Sequence, residues 1–377
     1  MASRASRAAC GARQLERGTI ISTLTGDIRA AFRTAVFFLK VFPIPSRPVD
    51  WITTAPAVER VRYPTSRGVM DGDLYRPSRN GRHPGVVVCL GVVPFDVDHP
   101  QIPRLGAALA RAGFATLMYW SPAMRDLRLV PDDVDDIAMA YDWLIGQDVV
   151  DPSRTGLLGV CVGGSYALMA AARDAIRDRV AFVAALAPYA SMRTFVRDIA
   201  SASRPTAFGR EPWPVDPLTR KVYVRSVTDM LAGEEAELLR RAFLDGNGDV
   251  DADQLSTDGR RVYELLRASD VRDVDAALKD LPQRMRERLD AMSPLRYLHD
   301  VRAPLIVIGH DQDDLVIPID ESRRLRDALI GRGGVGYTEF AMFEHADPTK
   351  RRLSPLRMAQ QLVKFYRHIY PMFRLAS

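Results

Sequence analysis

Cysteine is scarce in this chain. Cys10, Cys89 and Cys161 are its only three cysteines in 377 residues, and their spacing suits neither a disulfide framework nor a zinc site. A reducing, cytoplasmic setting is the expectation. Long hydrophobic runs are missing too. Residues 28–42 are strongly apolar, with Ile28, Phe32, Val36, Phe37, Leu39 and Phe42, yet Arg29, Arg33 and Lys40 interrupt them, leaving far fewer than the ~20 apolar residues that span a bilayer. Such a segment suits a helix packed on its own domain or on a second subunit, with peripheral contact to a membrane surface as the alternative. The residues before Arg17 are basic but form no apolar core ahead of a cleavage site, so export is not expected.

Excess charge of one sign is also lacking. The net charge is +5 with 26% charged residues, and arginines alternate with aspartates over 267–275 and 284–290, the pattern of solvated helix faces rather than of a nucleic-acid surface. No Walker or metal-ligand spacing occurs, and no Gly-x-Gly-x-x-Gly joins a strand to a following helix, so no cofactor and no metal are expected. The stretch from Asp245 to Asp251 comes nearest to a calcium loop, but Val250 stands where that loop needs glycine and Ser256 where it needs glutamate. It reads as a solvated turn.

What the chain does have is 47% hydrophobic residues arranged with clear periodicity, enough for one large core plus an insertion. After a proline-rich connector over 43–56, the spacing predicts two antiparallel strands, Val58–Tyr63 and Val69–Tyr75. Strands and helices then alternate: Gly85–Leu90, a helix near Ile102–Ala112, Ala115–Tyr119, a helix near Asp133–Ile145, and Thr155–Val160. This is the pattern of a doubly wound, mostly parallel sheet. Val180–Leu186 supplies one more buried strand. Residues 188–297 then show helical runs at Val227–Leu244, Gly259–Ala268 and Pro282–Ala291 without an apolar strand, which predicts an inserted helical cap. The sheet resumes at Pro304–Ile308, followed by a helix over Ile319–Leu329, a strand over Gly336–Phe343 and a last helix over Pro355–Tyr370. The expected organisation is an N-terminal extension and connector (1–57), a core (58–187 and 298–377) and the cap (188–297).

The strand at Thr155–Val160 runs into Gly159-Val160-Cys161-Val162-Gly163-Gly164-Ser165, followed by a helical run. A nucleophile held between strand and helix needs small neighbours two residues before and after it, and Gly159 and Gly163 occupy those positions. The helix N-terminus favours a thiolate and, later, an oxyanion. A small buried hydrophobe is the other fate of such a cysteine. A nucleophilic thiol requires a base and a carboxylate to orient it. The acidic loop Asp311-Gln312-Asp313-Asp314 follows one later strand, and His345 follows the next. Of the six histidines, only His345 comes after a strand downstream of the acids; His310 reads as a loop neighbour, and His368 lies in the last helix. The order nucleophile, acid, histidine is that of α/β-hydrolases.

The chain resembles the dienelactone hydrolase group of α/β-hydrolases, whose Gly-x-Cys-x-Gly-Gly elbow is matched by Gly159, Cys161, Gly163 and Gly164. The resemblance covers roughly 58–187 and 293–370 and implies an α/β-hydrolase sheet with an acid about four residues before the loop proline. Pro318 then selects Asp314, with Asp313 as the alternative and Asp311 behind both. Two backbone N–H groups should hold the oxyanion, those of Val162 and of Val92 in the loop after strand Gly85–Leu90. Dienelactone hydrolases carry a glutamate in that loop, whereas this strand ends Cys89-Leu90-Gly91, and the compact family members lack so large a cap. Arg193, Arg197, Arg204, Arg210, Arg225, Trp213 and Tyr223 near the cap's start are candidates for an acidic or aromatic acyl group, or are solvated cap residues. The expected activity is hydrolysis of a small-molecule carboxylic ester or lactone by Cys161, His345 and Asp314. The alternatives are acyl transfer or thioester cleavage by the same triad, or a silent fold that only binds.

Overall fold

The structure, a computed structural model, describes residues 25–42, 47–92, 99–246, 249–343 and 353–377. Its strands are β1 (Ala57–Thr65), β2 (Gly68–Arg76), β3 (His83–Cys89), β4 (Ala115–Tyr119), β5 (Val150–Val160), β6 (Phe182–Leu186), β7 (Ser203–Thr206), β8 (Gly209–Pro212), β9 (Leu305–Asp311) and β10 (Val335–Phe340). Its helices are α1 (residues 25–41), α2 (Arg47–Ile52), α3 (Gln101–Arg111), α4 (Pro122–Arg125), α5 (Asp133–Ile145), α6 (Val162–Ala170), α7 (Met192–Ala200), α8 (Pro217–Thr228), α9 (Gly233–Leu244), α10 (Thr257–Arg267), α11 (Val271–Asp280), α12 (Gln283–Ala291), α13 (Ile319–Ala328) and α14 (Pro355–Leu375).

Eight strands form one sheet in the order β1-β2-β4-β3-β5-β6-β9-β10. The pairs from β4 to β10 are all parallel, while β2 runs antiparallel to both β1 and β4. Burial follows from position. The central strand β3 is buried at every residue, as a parallel strand covered on both faces must be. Edge strand β1 buries only Val61, Tyr63 and Thr65, at alternate positions. On β3, Val87 and Cys89 point into the core under α5 and α6, whereas Val86 and Val88 point into the core under α3 and α14.

The apolar N-terminal stretch forms α1 and packs on this second core. Phe37 meets Phe373 at 5.4 Å between ring centroids, and Phe42 meets Phe365 at 5.6 Å. Ile28 and Phe32 remain exposed. Among the described residues no helix is long and apolar enough to cross a membrane.

Between β6 and β9 the chain forms α7 to α12 and the two-stranded β7–β8 hairpin. Three sequence expectations need correction here. The continuous helix expected over Val227–Leu244 is broken, because Asp229 caps α8 and draws in Arg128 at 2.8 Å and Arg288 at 3.0 Å before α9 begins at Gly233. The hairpin and α11 were not expected, since Ser-Arg-Pro-Thr and Gly-Arg-Glu-Pro carry no apolar alternation. Finally, β9 extends past its apolar run, so His310 is a buried strand residue and not a loop neighbour. The acidic turn at Asp245 includes residues 247–248, which lie outside the described residues.

Candidate active site

At the end of β5 the backbone reverses into α6 through Cys161, whose φ of 59° and ψ of −137° are costly for a residue with a Cβ. The surroundings enforce this conformation. Cys161 N donates to Leu186 O at 2.8 Å, and Cys161 O accepts from Gly164 N at 2.9 Å. The glycines are required by contact: a Cβ on Gly159 would lie 2.3 Å from the Gly163 carbonyl oxygen, and one on Gly163 would lie 2.2 Å from that of Cys89. The thiol therefore stands at the N-terminus of α6, where Val162 contributes one of the first-turn N–H groups that have no acceptor within the helix. Cys89 differs sharply. It faces the core of the sheet, and complete burial pushes its thiol far above the ordinary range.

The loop after β3 passes directly over the elbow, so that a Cβ on Gly91 would lie 2.9 Å from Cys161 Cβ. Val92 follows and lines the same cavity as Cys161 and Val162. Val93 to Asp98 lie outside the described residues.

The acidic loop separates its aspartates by environment. Asp313 is exposed. Asp314 is 2% exposed, and its Oδ1 accepts from Val316 N at 2.7 Å and Ile317 N at 3.1 Å. Its Oδ2 lies 3.4 Å from His310 Nε2. Asp311 is engaged elsewhere, with its Oδ2 accepting from Met342 N at 2.9 Å and Phe343 N at 2.7 Å and so fixing the chain where it leaves β10. His345 follows two residues later and lies outside the described residues, as do the others of 344–352. Among the remaining histidines, His368 packs in α14 beside Thr338, and burial lowers its pKa to about 4.

The insertion is tied to the acidic loop. Trp213 Nε1 donates to Asp314 O at 3.0 Å, Asp216 N to Leu315 O at 3.0 Å, and Thr219 Oγ1 to Val316 O at 3.1 Å. At its root, the carboxylate of Glu321 accepts from Ala190 N at 2.8 Å, Ser191 N at 3.0 Å and Thr194 Oγ1 at 2.6 Å. Burial raises the pKa of that carboxyl, against the pull of these donors. Sequence reasoning did not single out Trp213 or Glu321 as anchors, and nothing in their local patterns marks them. His310 carried a usable signal, lying four residues before Asp314.

Beneath the insertion and above Cys161 is a cavity of about 40 Å³. Its walls include Met192, Phe195, Val222, Met230, Leu289 and Met292. The cap arginines face elsewhere. Arg193 pairs with Asp290 at 2.6 Å, Arg197 with Asp275 at 2.6 Å, Arg204 with Glu211 at 2.6 Å and Arg210 with Asp198, while Arg225 donates to Asp126 O at 3.0 Å.

A parallel sheet in this strand order, with its first two strands antiparallel and a strand-turn-helix at its centre, has the α/β-hydrolase fold. No family model matches the chain. Among solved structures, it is similar to the Pyrococcus horikoshii acylaminoacyl peptidase at a TM-score of 0.50 and 15% identity, over 84% of this chain and 41% of that one. A 2,6-dihydroxy-pseudo-oxynicotine hydrolase matches at a TM-score of 0.50 and 16% identity, over 84% and 68% respectively. Both likenesses concern the fold. Among curated sequences, a probable 2-oxo-3-(5-oxofuran-2-ylidene)propanoate lactonase from Bradyrhizobium sp. is 32% identical over 124 residues, 29% of this chain and 49% of the relative. A 31.7 kDa protein from the traX-finO intergenic region of Escherichia coli is 31% identical over 104 residues, 26% and 36% respectively. The matches thus span between about a third and a half of those relatives.

Proposed function

We propose that this protein is a thiol hydrolase of carboxylic esters or lactones, akin to dienelactone hydrolases, with Cys161 as nucleophile, His345 as proton shuttle and Asp314 as the acid that orients His345. The observation that carries this reading is the enforced left-handed backbone at Cys161, at the N-terminus of α6 and at the wall of a cavity. A purely structural cysteine has no need of such a turn. Burial and the two backbone donors favour Asp314 over the exposed Asp313. The fold and the partial likeness to a lactonase support the same chemistry.

In the reaction, the Cys161 sulfur attacks the carbonyl carbon and its proton passes to His345. The N–H groups of Val92 and Val162 hold the resulting oxyanion. Collapse expels the alkoxide, which takes the proton from His345 and leaves a thioester on Cys161. A water, deprotonated by His345, then attacks the thioester, releasing the acid and restoring the thiol. With no acidic side chain at the end of β3, thiolate formation falls to His345 and the α6 N-terminus.

The test is Cys161→Ala assayed on short p-nitrophenyl esters. The expected result is loss of turnover to the uncatalysed background. Unchanged turnover would remove Cys161 from the chemistry.

A further inference from the structure

The cavity over Cys161 is unusual in what its polar atoms are already doing. Among the described residues no charged side chain lines it. The hydroxyls that do reach it are engaged: Thr219 donates to Val316 O at 3.1 Å, Tyr223 donates to Leu265 O at 3.3 Å, and Ser226 Oγ accepts from Leu129 N at 3.0 Å. Arg193, Arg197, Arg204 and Arg210 are paired with carboxylates, Arg225 donates to a backbone carbonyl, and Arg220 on α8 is exposed and does not line the cavity. A carboxylate entering this space would lose its water and meet no counter-charge from the described residues that line it. An alkyl group entering it would gain contact with Met192, Phe195, Val222 and Leu289 and would need no polar partner.

We infer that the cavity is an acyl pocket for short, uncharged, branched or linear aliphatic acyl groups, and that it discriminates against acyl groups ending in a carboxylate. Its volume of about 40 Å³, far below the roughly 300–1,000 Å³ of pockets that hold drug-sized ligands, suits a short acyl group. This specificity rests on the thiol-hydrolase reading for its catalytic consequence. Binding by the pocket does not depend on it.

A matched pair of esters tests the inference: p-nitrophenyl isocaproate and mono-p-nitrophenyl succinate, whose acyl groups have the same shape and differ in charge. The expected kcat/KM ratio favours the neutral ester by about 100-fold or more. Val222→Lys, which sets an ammonium in the pocket wall, should shrink that ratio at least ~10-fold by raising turnover of the succinate. Calorimetric binding of both esters to Cys161→Ala keeps the two proposals separate. If the wild type hydrolyses neither ester but Cys161→Ala binds the neutral one preferentially, the pocket assignment holds and the hydrolase reading falls. If the succinate is hydrolysed or bound as well as its neutral counterpart, or if neither ester binds, the pocket assignment is overturned.

Discussion

His310, near the end of β9, faces Asp314 in the buried turn that follows, with His310 Nε2 standing 3.4 Å from Asp314 Oδ2 and 2.9 Å from Ile317 O. A carbonyl oxygen only accepts, so Nε2 carries a hydrogen and the ring acts as a donor on this side. Its Nδ1 meets Ser322 Oγ, and Ser322 in turn donates to Pro188 O at 3.0 Å. The ring thus connects the acidic loop, α13 and the root of the insertion. It lies against Asp314 and is not among the residues that line the cavity.

If His310 positions the acid, His310→Asn should lower kcat by about 10-fold while leaving the KM for a short neutral ester within about twofold. Steady-state kinetics on p-nitrophenyl esters would show the split. A KM that rises in step with a fall in stability, with kcat unchanged, would reduce His310 to a structural role.

The elbow glycines should tolerate no side chain. Gly163→Ala forces a methyl against the Cys89 carbonyl, which is backbone of the central strand and cannot turn aside. We expect a loss of more than about 3 kcal/mol in urea unfolding, or failure to accumulate as folded protein. Gly233→Ala, at a position with open space around it, should change stability by less than about 1 kcal/mol. Similar losses for both variants would contradict this view of the packing.

Asp198 gives the insertion a pH dependence. Burial raises its carboxyl to about 6, against the opposing pull of Arg210. Because the folded state then holds this proton more tightly than the unfolded chain, the stabilising contribution is complete below the ordinary carboxylate range and is lost as pH rises through about 6. Asp198→Asn keeps an acceptor for Arg210 and removes the titration. The urea midpoint of the wild type should therefore fall relative to that of the variant between pH 4 and 7, and parallel curves would refute the assignment.

Much of the architecture was legible because burial imposes simple patterns on sequence. The run Val86-Val87-Val88-Cys89 can only be a strand covered on both faces, and Gly159 and Gly163 announce a close approach that the structure places at backbone atoms. The insertion was harder. Its hairpin is polar on both strands, and its helix break depends on arginines 101 and 59 residues distant from Asp229, which no local window contains. The same is true of the site's supports. Trp213 and Glu321 act through long-range hydrogen bonds to backbone, and a donor-acceptor pair of that kind leaves no periodic trace. The arginines at the start of the insertion left an acyl-binding role and a solvated cap face both open for a related reason: the aspartates and glutamate that satisfy most of them come from other helices and a neighbouring strand.

All of the proposed chemistry depends on an acyl group passing through the Cys161 sulfur. Mixing the protein with excess p-nitrophenyl acetate, quenching in acid before the first turnover completes, and mapping the digest by mass spectrometry tests this directly. One acetyl group is expected on the peptide containing Cys161, formed at the rate of the p-nitrophenolate burst and absent from Cys161→Ala. Acetylation at another residue, or a full burst in the Cys161→Ala variant, would contradict it.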